Sequence, residues 1–412
     1  MPFSNYILIL ITTVFISIGV NCKCSQSFIT ICDTFEDFKN HDDSDTLSEV
    51  MIGSEYGTGT MTSVDFMEQL KLSSYHKLST LMIVHAINKL EVRRYGYQCR
   101  YTGSPLQFFI LHGNIFKTIE PHHFPLLRLK KLSLAGNNIE QVKSGALKNH
   151  EIENLDLSHN FLEVVESESL PLQDSLIILS IRNNNLTHIE HGSLSPSLQS
   201  LNLDHNKLRY IENEVLENLL SLKELTLSHN NFNVIPKISH LKKLVVFDIS
   251  YNAISTLKED TFKNMDDLKL VDFSNNRISS ASVLEWINTP GKQPSLTVSL
   301  ALNRLRDLIL DNVSLQNQAL ALYGNPWDCN TWPQLKMKLA GHESECDSKF
   351  LSNGNMPYCI NFRAALYPLS RLDEGDVDRF HDTFRKSERT AGCVLAPKKY
   401  EWLYPIHKGC VV

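Results

Sequence analysis

The sequence predicts an α/β solenoid, a horseshoe of stacked coils with a parallel β-sheet on its concave side and cysteine-bearing caps at its ends. Three observations carry this. An eleven-residue pattern, LxxLxLxxNxL, recurs from Leu106 to Trp327. The nine cysteines, at 22, 24, 32, 99, 329, 346, 359, 393 and 410, flank that stretch and leave it untouched. The chain of 412 residues, 42% hydrophobic, suffices for one long continuous core.

The clearest copies are Leu129, Leu132, Leu134, Asn137, Ile139; Ile152, Leu155, Leu157, Asn160, Leu162; Leu198, Leu201, Leu203, Asn206, Leu208; and Leu222, Leu225, Leu227, Asn230, Phe232. Six more surround them, with asparagines at Asn114, Asn184, Asn252, Asn276, Asn303 and Asn325, and the repeats start 22 to 27 residues apart. Each copy resembles the leucine-rich repeat. That resemblance implies a short parallel strand whose two alternate leucines point inward, and an asparagine that turns the chain and satisfies the neighbouring coil's backbone, so that the ten asparagines stack as a ladder. Apolar pairs such as Ile119 and Phe124, Ile189 and Leu194, Ile211 and Leu216, and Leu257 and Phe262 fill the convex side. Thr289 to Pro294 is read as a surface loop inserted before the ninth repeat.

The flanks divide the chain into a signal peptide over 1–22, an N-terminal capping region over 23–105, the repeats over 106–327, and a cysteine-containing cap and tail over 328–412. The apolar run from Tyr6 to Val20 is short for a bilayer span, and Val20 and Cys22 suit a cleavage before Lys23. Thr80, Ile83, His85, Asn88 and Leu90 form a degenerate copy read as a capping strand that shields the first repeat. Residues 33–68 are rich in acidic and small residues and read in part as a mobile loop. At the other end, Asn325-Pro326-Trp327-Asp328-Cys329 resembles the start of a cysteine-bearing C-terminal cap. Val377, Phe380 and Phe384 suggest a short amphipathic helix beyond it.

Removing Cys22 leaves Cys24, Cys32 and Cys99 at one end and Cys329, Cys346, Cys359, Cys393 and Cys410 at the other, both odd numbers. Ten strands about 4.8 Å apart separate the ends by roughly 45 Å, whereas bridged cysteines need Cα atoms within about 7 Å. The expectation is a local Cys24–Cys32 bridge and an unpaired thiol at each end, and hence a disulfide-linked dimer or a free thiol.

The net charge of −6 provides no broad basic field for nucleic acid or anionic membranes. No GxSxG elbow, HExxH, phosphate loop or dinucleotide fingerprint is present, so the reading is a binding protein with no cofactor and no catalytic residues. The candidate binding face is the outer row of the concave sheet. It consists of Asp156, Arg182, Asp204, Asp248 and Asp272 on the strands, and His159, Asn183, His205, His229, Tyr251 and Asn275 just before the ladder asparagines. His205 and His229 fall on neighbouring strands, but Leu-Ser-His-Asn is a common wording of such repeats, and no metal site is assigned to them. Asn185-Leu186-Thr187 and Asn312-Val313-Ser314 are glycosylation sequons.

Over residues 80 to about 346 the chain is similar to the leucine-rich immune proteins of mosquito haemolymph, in their coil-less form. The resemblance implies extracellular defence through complexes with other repeat proteins or complement-like effectors. The competing expectation is a matrix, adhesion or receptor-modulating protein built from the same repeats.

Overall fold

A computed structural model describes residues 24–25, 30–32, 48–53, 61–62, 77–84, 87–89, 106–308 except 122, 125–126, 173, 259–260, 263 and 280–295, then 319–339 and 359–360. The signal peptide, the 289–294 loop, the second sequon at Asn312, the suggested helix at 377–384, and Cys99, Cys346, Cys393 and Cys410 lie outside the described residues. Among the described residues no helix is long and apolar enough to cross a membrane.

Alternation of apolar and polar residues makes each repeat begin as a strand, and fourteen strands join in chain order into one sheet. All pairings are parallel except the first, where Cys24–Ser25 runs antiparallel to Thr30–Cys32. The register places equivalent residues side by side: Leu155 pairs with Leu179, Leu179 with Leu201, Leu201 with Leu225. Inward pairs such as Leu132 and Leu134, Leu155 and Leu157, and Leu225 and Leu227 are wholly buried, each side chain contributing about 2 kcal/mol by leaving water. Short strand pairs on the far side, Thr118–Ile119 with Gln141–Val142 and Val164–Val165 with His188–Ile189, close the coils. Later coils replace these with the four-residue helix Asn213–Leu216 and with a cluster in which the rings of Phe247, Phe262 and Phe273 lie 5.8–6.4 Å apart.

The coil begins earlier than expected. The Thr80–Val84 strand is not the cap: its outer edge pairs with Glu49–Gly53, which pairs in turn with Thr30–Cys32. Val50 and Ile52 are buried as an inward pair, so part of the 33–68 segment is strand. Their distance from Leu81, 31 residues, and that of Leu81 from Phe109, 28 residues, exceed the regular period, and β-branched residues stand where leucines were sought. At the other end Trp327–Asp328 pairs with Cys359–Ile360, and the helix Trp332–Leu339 stacks the Trp332 ring on Trp327.

The ladder asparagines tie coil to coil. In all ten, Nδ2 donates to a carbonyl of the preceding coil at 2.7–3.1 Å, as from Asn160 to Leu134 and from Asn230 to Leu203. In the eight from Asn160 to Asn325, Oδ1 accepts a backbone N–H of the preceding coil, from Ile139, Leu162, Leu186, Leu208, Phe232, Ile254, Ile278 and Leu305 in turn. Asn137 departs from this, its buried Oδ1 having no hydrogen-bond partner.

Buried backbone groups left without partners cost about 1–3 kcal/mol each. Asn230→Ala, which strands Leu208 N–H and the carbonyls of Leu203 and Leu227, is therefore expected to cost about 4 kcal/mol, and Asn137→Ala about half of that, measured by urea denaturation. Burial lowers the pKa of His150 to about 4, with an opposing hydrogen bond to the Ala146 backbone, and its Nδ1 accepts the Leu127 N–H and so must stay unprotonated. A folded-state pKa below the unfolded value means that the stabilisation is complete above about pH 6.5 and is lost as pH falls towards 4, by up to about 3 kcal/mol. His150→Gln is expected to flatten that part of the stability–pH curve.

Candidate functional site

Where each strand ends, the backbone must bend sharply to bring the ladder asparagine inward, and it does so the same way in every coil. The residue before each ladder asparagine is left-handed: Gly113, Gly136, His159, Asn183, His205, His229, Tyr251, Asn275, Leu302 and Gly324 all have φ between 53° and 68°. Glycine takes this conformation without steric cost, and Asn and His take it more readily than most residues. The repeated His-Asn wording is thus a backbone requirement first. Tyr251 and Leu302 hold the same turn against a preference of about 1–2 kcal/mol.

Identical backbone geometry on neighbouring strands lines the side chains up. Asn183 Nδ2 lies 3.1 Å from His159 Nε2. The rings of His205 and His229 stack at 4.0 Å and 11°, and those of His229 and Tyr251 at 4.0 Å and 15°. His159, His205, His229 and Tyr251 are exposed, so the row forms an edge about five coils long. Stacked imidazoles point their in-plane nitrogens in parallel, not towards one shared point, so the pair is a contact surface and not a metal clamp. Burial lowers the pKa of both His159 and His205, and the nearby Arg182 guanidinium lowers them further; Asp156 partly opposes this at His159, and His159 adds to it at His205. Both rings are therefore neutral at physiological pH.

The aspartates are placed otherwise than the sequence suggested. Asp156, Asp248 and Asp272 fold back on their own strand ends, Oδ1 accepting the backbone N–H of Ser158, Ser250 and Ser274 at 2.8–3.0 Å. The Ser158 and Ser250 hydroxyls add bonds to the same oxygens. These are Asx turns that fix the bend. Asp248 and Asp272 are also buried, which corrects their reading as open surface groups. Asp204 instead reaches across to the Ser228 N–H at 2.8 Å, and Arg182 is exposed.

The sequence reading missed Glu224, an outward strand residue that is 5% exposed and accepts from the Ser200 hydroxyl. It also missed Phe161, Tyr210 and Val234, apolar side chains left exposed beside the ladder. The spacing of glycines at 113, 136 and 324 was the available signal for the left-handed row, whereas nothing local marks Glu224.

Among the other assigned residues, Asn185 is half-buried and its sequon Thr187 exposed. Cys24 and Cys32 are opposed in register, and Cys329 is in a disulfide.

Residues 150–208, 174–232 and 196–254 match the family model described as Leucine rich repeat, and with the stacked coils this defines the fold as a leucine-rich-repeat solenoid. No curated protein matches the chain. Among solved structures, a chain of the Drosophila Toll–Spatzle complex, glycosylated form, aligns at a TM-score of 0.55 and 18% identity, over 71% of this chain and 42% of that one. The chain thus spans less than half the length of that neighbour. The Leptospira interrogans LRR protein LIC12759 aligns at 0.45 and 21%, over 71% and 74% of the two chains. An octameric complex of Latrophilin 3, Unc5D and FLRT2 supplies a chain at 0.48 and 21%, over 70% and 84%. Likeness at such identity carries the fold.

Arg182→Ala is expected to raise the titration midpoints of His159 and His205 together while leaving both below the ordinary value, because burial remains. Proton NMR of the ring resonances checks this; midpoints that do not move would mean that the guanidinium is too well solvated to act.

Proposed function

We propose that this protein is a secreted recognition scaffold that binds other proteins along the left-handed edge of its concave face. Its setting is extracellular innate immune defence, in complexes with other repeat proteins or complement-like effectors. The observation that carries the binding role is the continuous exposed row His159, Asn183, His205, His229 and Tyr251, flanked by Arg182 and held on a backbone that the ladder keeps rigid. Aromatic rings with a polar edge, ordered in advance, lose little freedom on binding and give the anchors on which interfaces depend. The Toll–Spatzle neighbour supports the reading as a repeat fold in a protein–protein complex, described there as a hub in development and innate immunity. The cysteines that remain after Cys24–Cys32 pairing leave one thiol at each end for a covalent dimer.

The test is expression in secreting cells. The protein is expected in the medium with Lys23 at its N-terminus and Asn185 glycosylated, and as a dimer on non-reducing gels that collapses on reduction. From body fluid of challenged animals it is expected to co-purify with a defined partner. The triple variant His205→Ala, His229→Ala, Tyr251→Ala should weaken that partner's affinity by roughly tenfold or more without loss of fold. Undiminished binding by the triple variant would remove the edge from the interface, and a single monomer band in both lanes would remove the dimer.

A further inference from the structure

The outward side chains of the sheet change character along the solenoid. On Glu151–Asp156 and Ile178–Ser180 the outward residues Asn154, Asp156, Ile178 and Ser180 are half-buried, as the open face of a one-layer sheet should be. Further on, Glu224 is 5% exposed, Thr226 2%, Val246 6%, Asp248 1%, Asp272 8% and Ser299 3%. These residues alternate with the inward Leu225, Phe247, Val271 and Val298, so they face away from the core. Each of their strands is flanked only by other strands of the same sheet. A side chain as long as Glu224 is not hidden by flat neighbours, so a further part of this same chain covers the row.

What covers it can be read from the row's chemistry. Thr226, Asp248, Asp272 and Ser299 stand side by side in register, one per strand. Two carboxylates about 4.8 Å apart under cover repel each other unless a cation offsets them. On either side the Thr226 and Ser299 hydroxyl oxygens are buried without a hydrogen-bond partner. A row of buried acceptors of this kind suits the ammonium and guanidinium donors of a basic peptide.

The sequence holds one stretch of that composition outside the described residues. Residues 385–412 carry Arg385, Lys386, Arg389, Lys398, Lys399 and Lys408 against Glu388 and Glu401, a net +4 within a chain of −6. The same stretch holds Trp402, Leu403 and Tyr404, apolar surface of the kind that Val246 needs. Reach is ample: 25 residues from Ile360, which is paired beside Trp327–Asp328, extend up to roughly 80 Å, and five strands occupy only about 24 Å. The acidic segment 33–47 is of the wrong sign.

We propose that the basic segment 385–412 docks on the concave face over Glu224, Asp248 and Asp272, as an intramolecular ligand that withholds this part of the face from partners. The edge row and the first coils stay open beside it. This goes beyond the binding role proposed above and stands independently of it.

Carboxyl footprinting of the full-length protein, with carbodiimide and glycine ethyl ester, tests it without any partner. Asp248 and Asp272 are expected to label slowly, with Asp156 as the internal control. Replacing Lys386, Lys398, Lys399 and Lys408 by Glu is expected to speed labelling of Asp248 and Asp272 by roughly tenfold and to leave Asp156 unchanged. Rates at Asp248 and Asp272 that equal the control in the unaltered protein, or that stay slow in the charge-reversed variant, would overturn the proposal.

Discussion

One buried carboxamide per coil is the constraint on which the rest depends. A solenoid coil makes its backbone hydrogen bonds to neighbours along only part of its circuit, and the bend after each strand points carbonyls and N–H groups into an apolar interior. The ladder asparagine answers both, donating backward to carbonyls and accepting from the N–H two residues past the previous asparagine. No other side chain offers a donor and an acceptor on so short a stem. The bond can form only if the preceding residue is left-handed, and this links the core to the surface: the need to bury Asn206 and Asn230 places His205 and His229 outside, in stacking register.

The surface row is therefore a by-product of core chemistry that binding can exploit. Its rings are ordered by backbone conformation and by one another, and the Asx turns at Asp156, Asp248 and Asp272 stiffen the same bend from the strand side. A face built in this way offers a partner a fixed spacing set by the strands. Specificity then rests on which residue occupies each step.

Much of the fold was legible because its causes are periodic. Leucines at fixed intervals and the ten asparagines announce the coil, and the inward pairs fall where the pattern places them. The N-terminal coils escaped because Val50 and Ile52 keep the alternation while their loops lengthen, so the physical signal persisted and the count failed. At the face, residue type alone did not separate a carboxylate that meets solvent from one that closes a turn. Asp248 and Asp156 share the same local wording and the same Asx turn; their different burial depends on what lies above the sheet.

The far end of the sheet has a consequence of its own. The parallel order stops at Thr30–Cys32 because Cys24–Ser25 returns against it, two residues long and running the opposite way. An unprotected parallel edge would template the next molecule and let horseshoes polymerise into fibres. The reversed hairpin, with its two cysteines facing each other across the pair, is a stopper that keeps each molecule a closed particle.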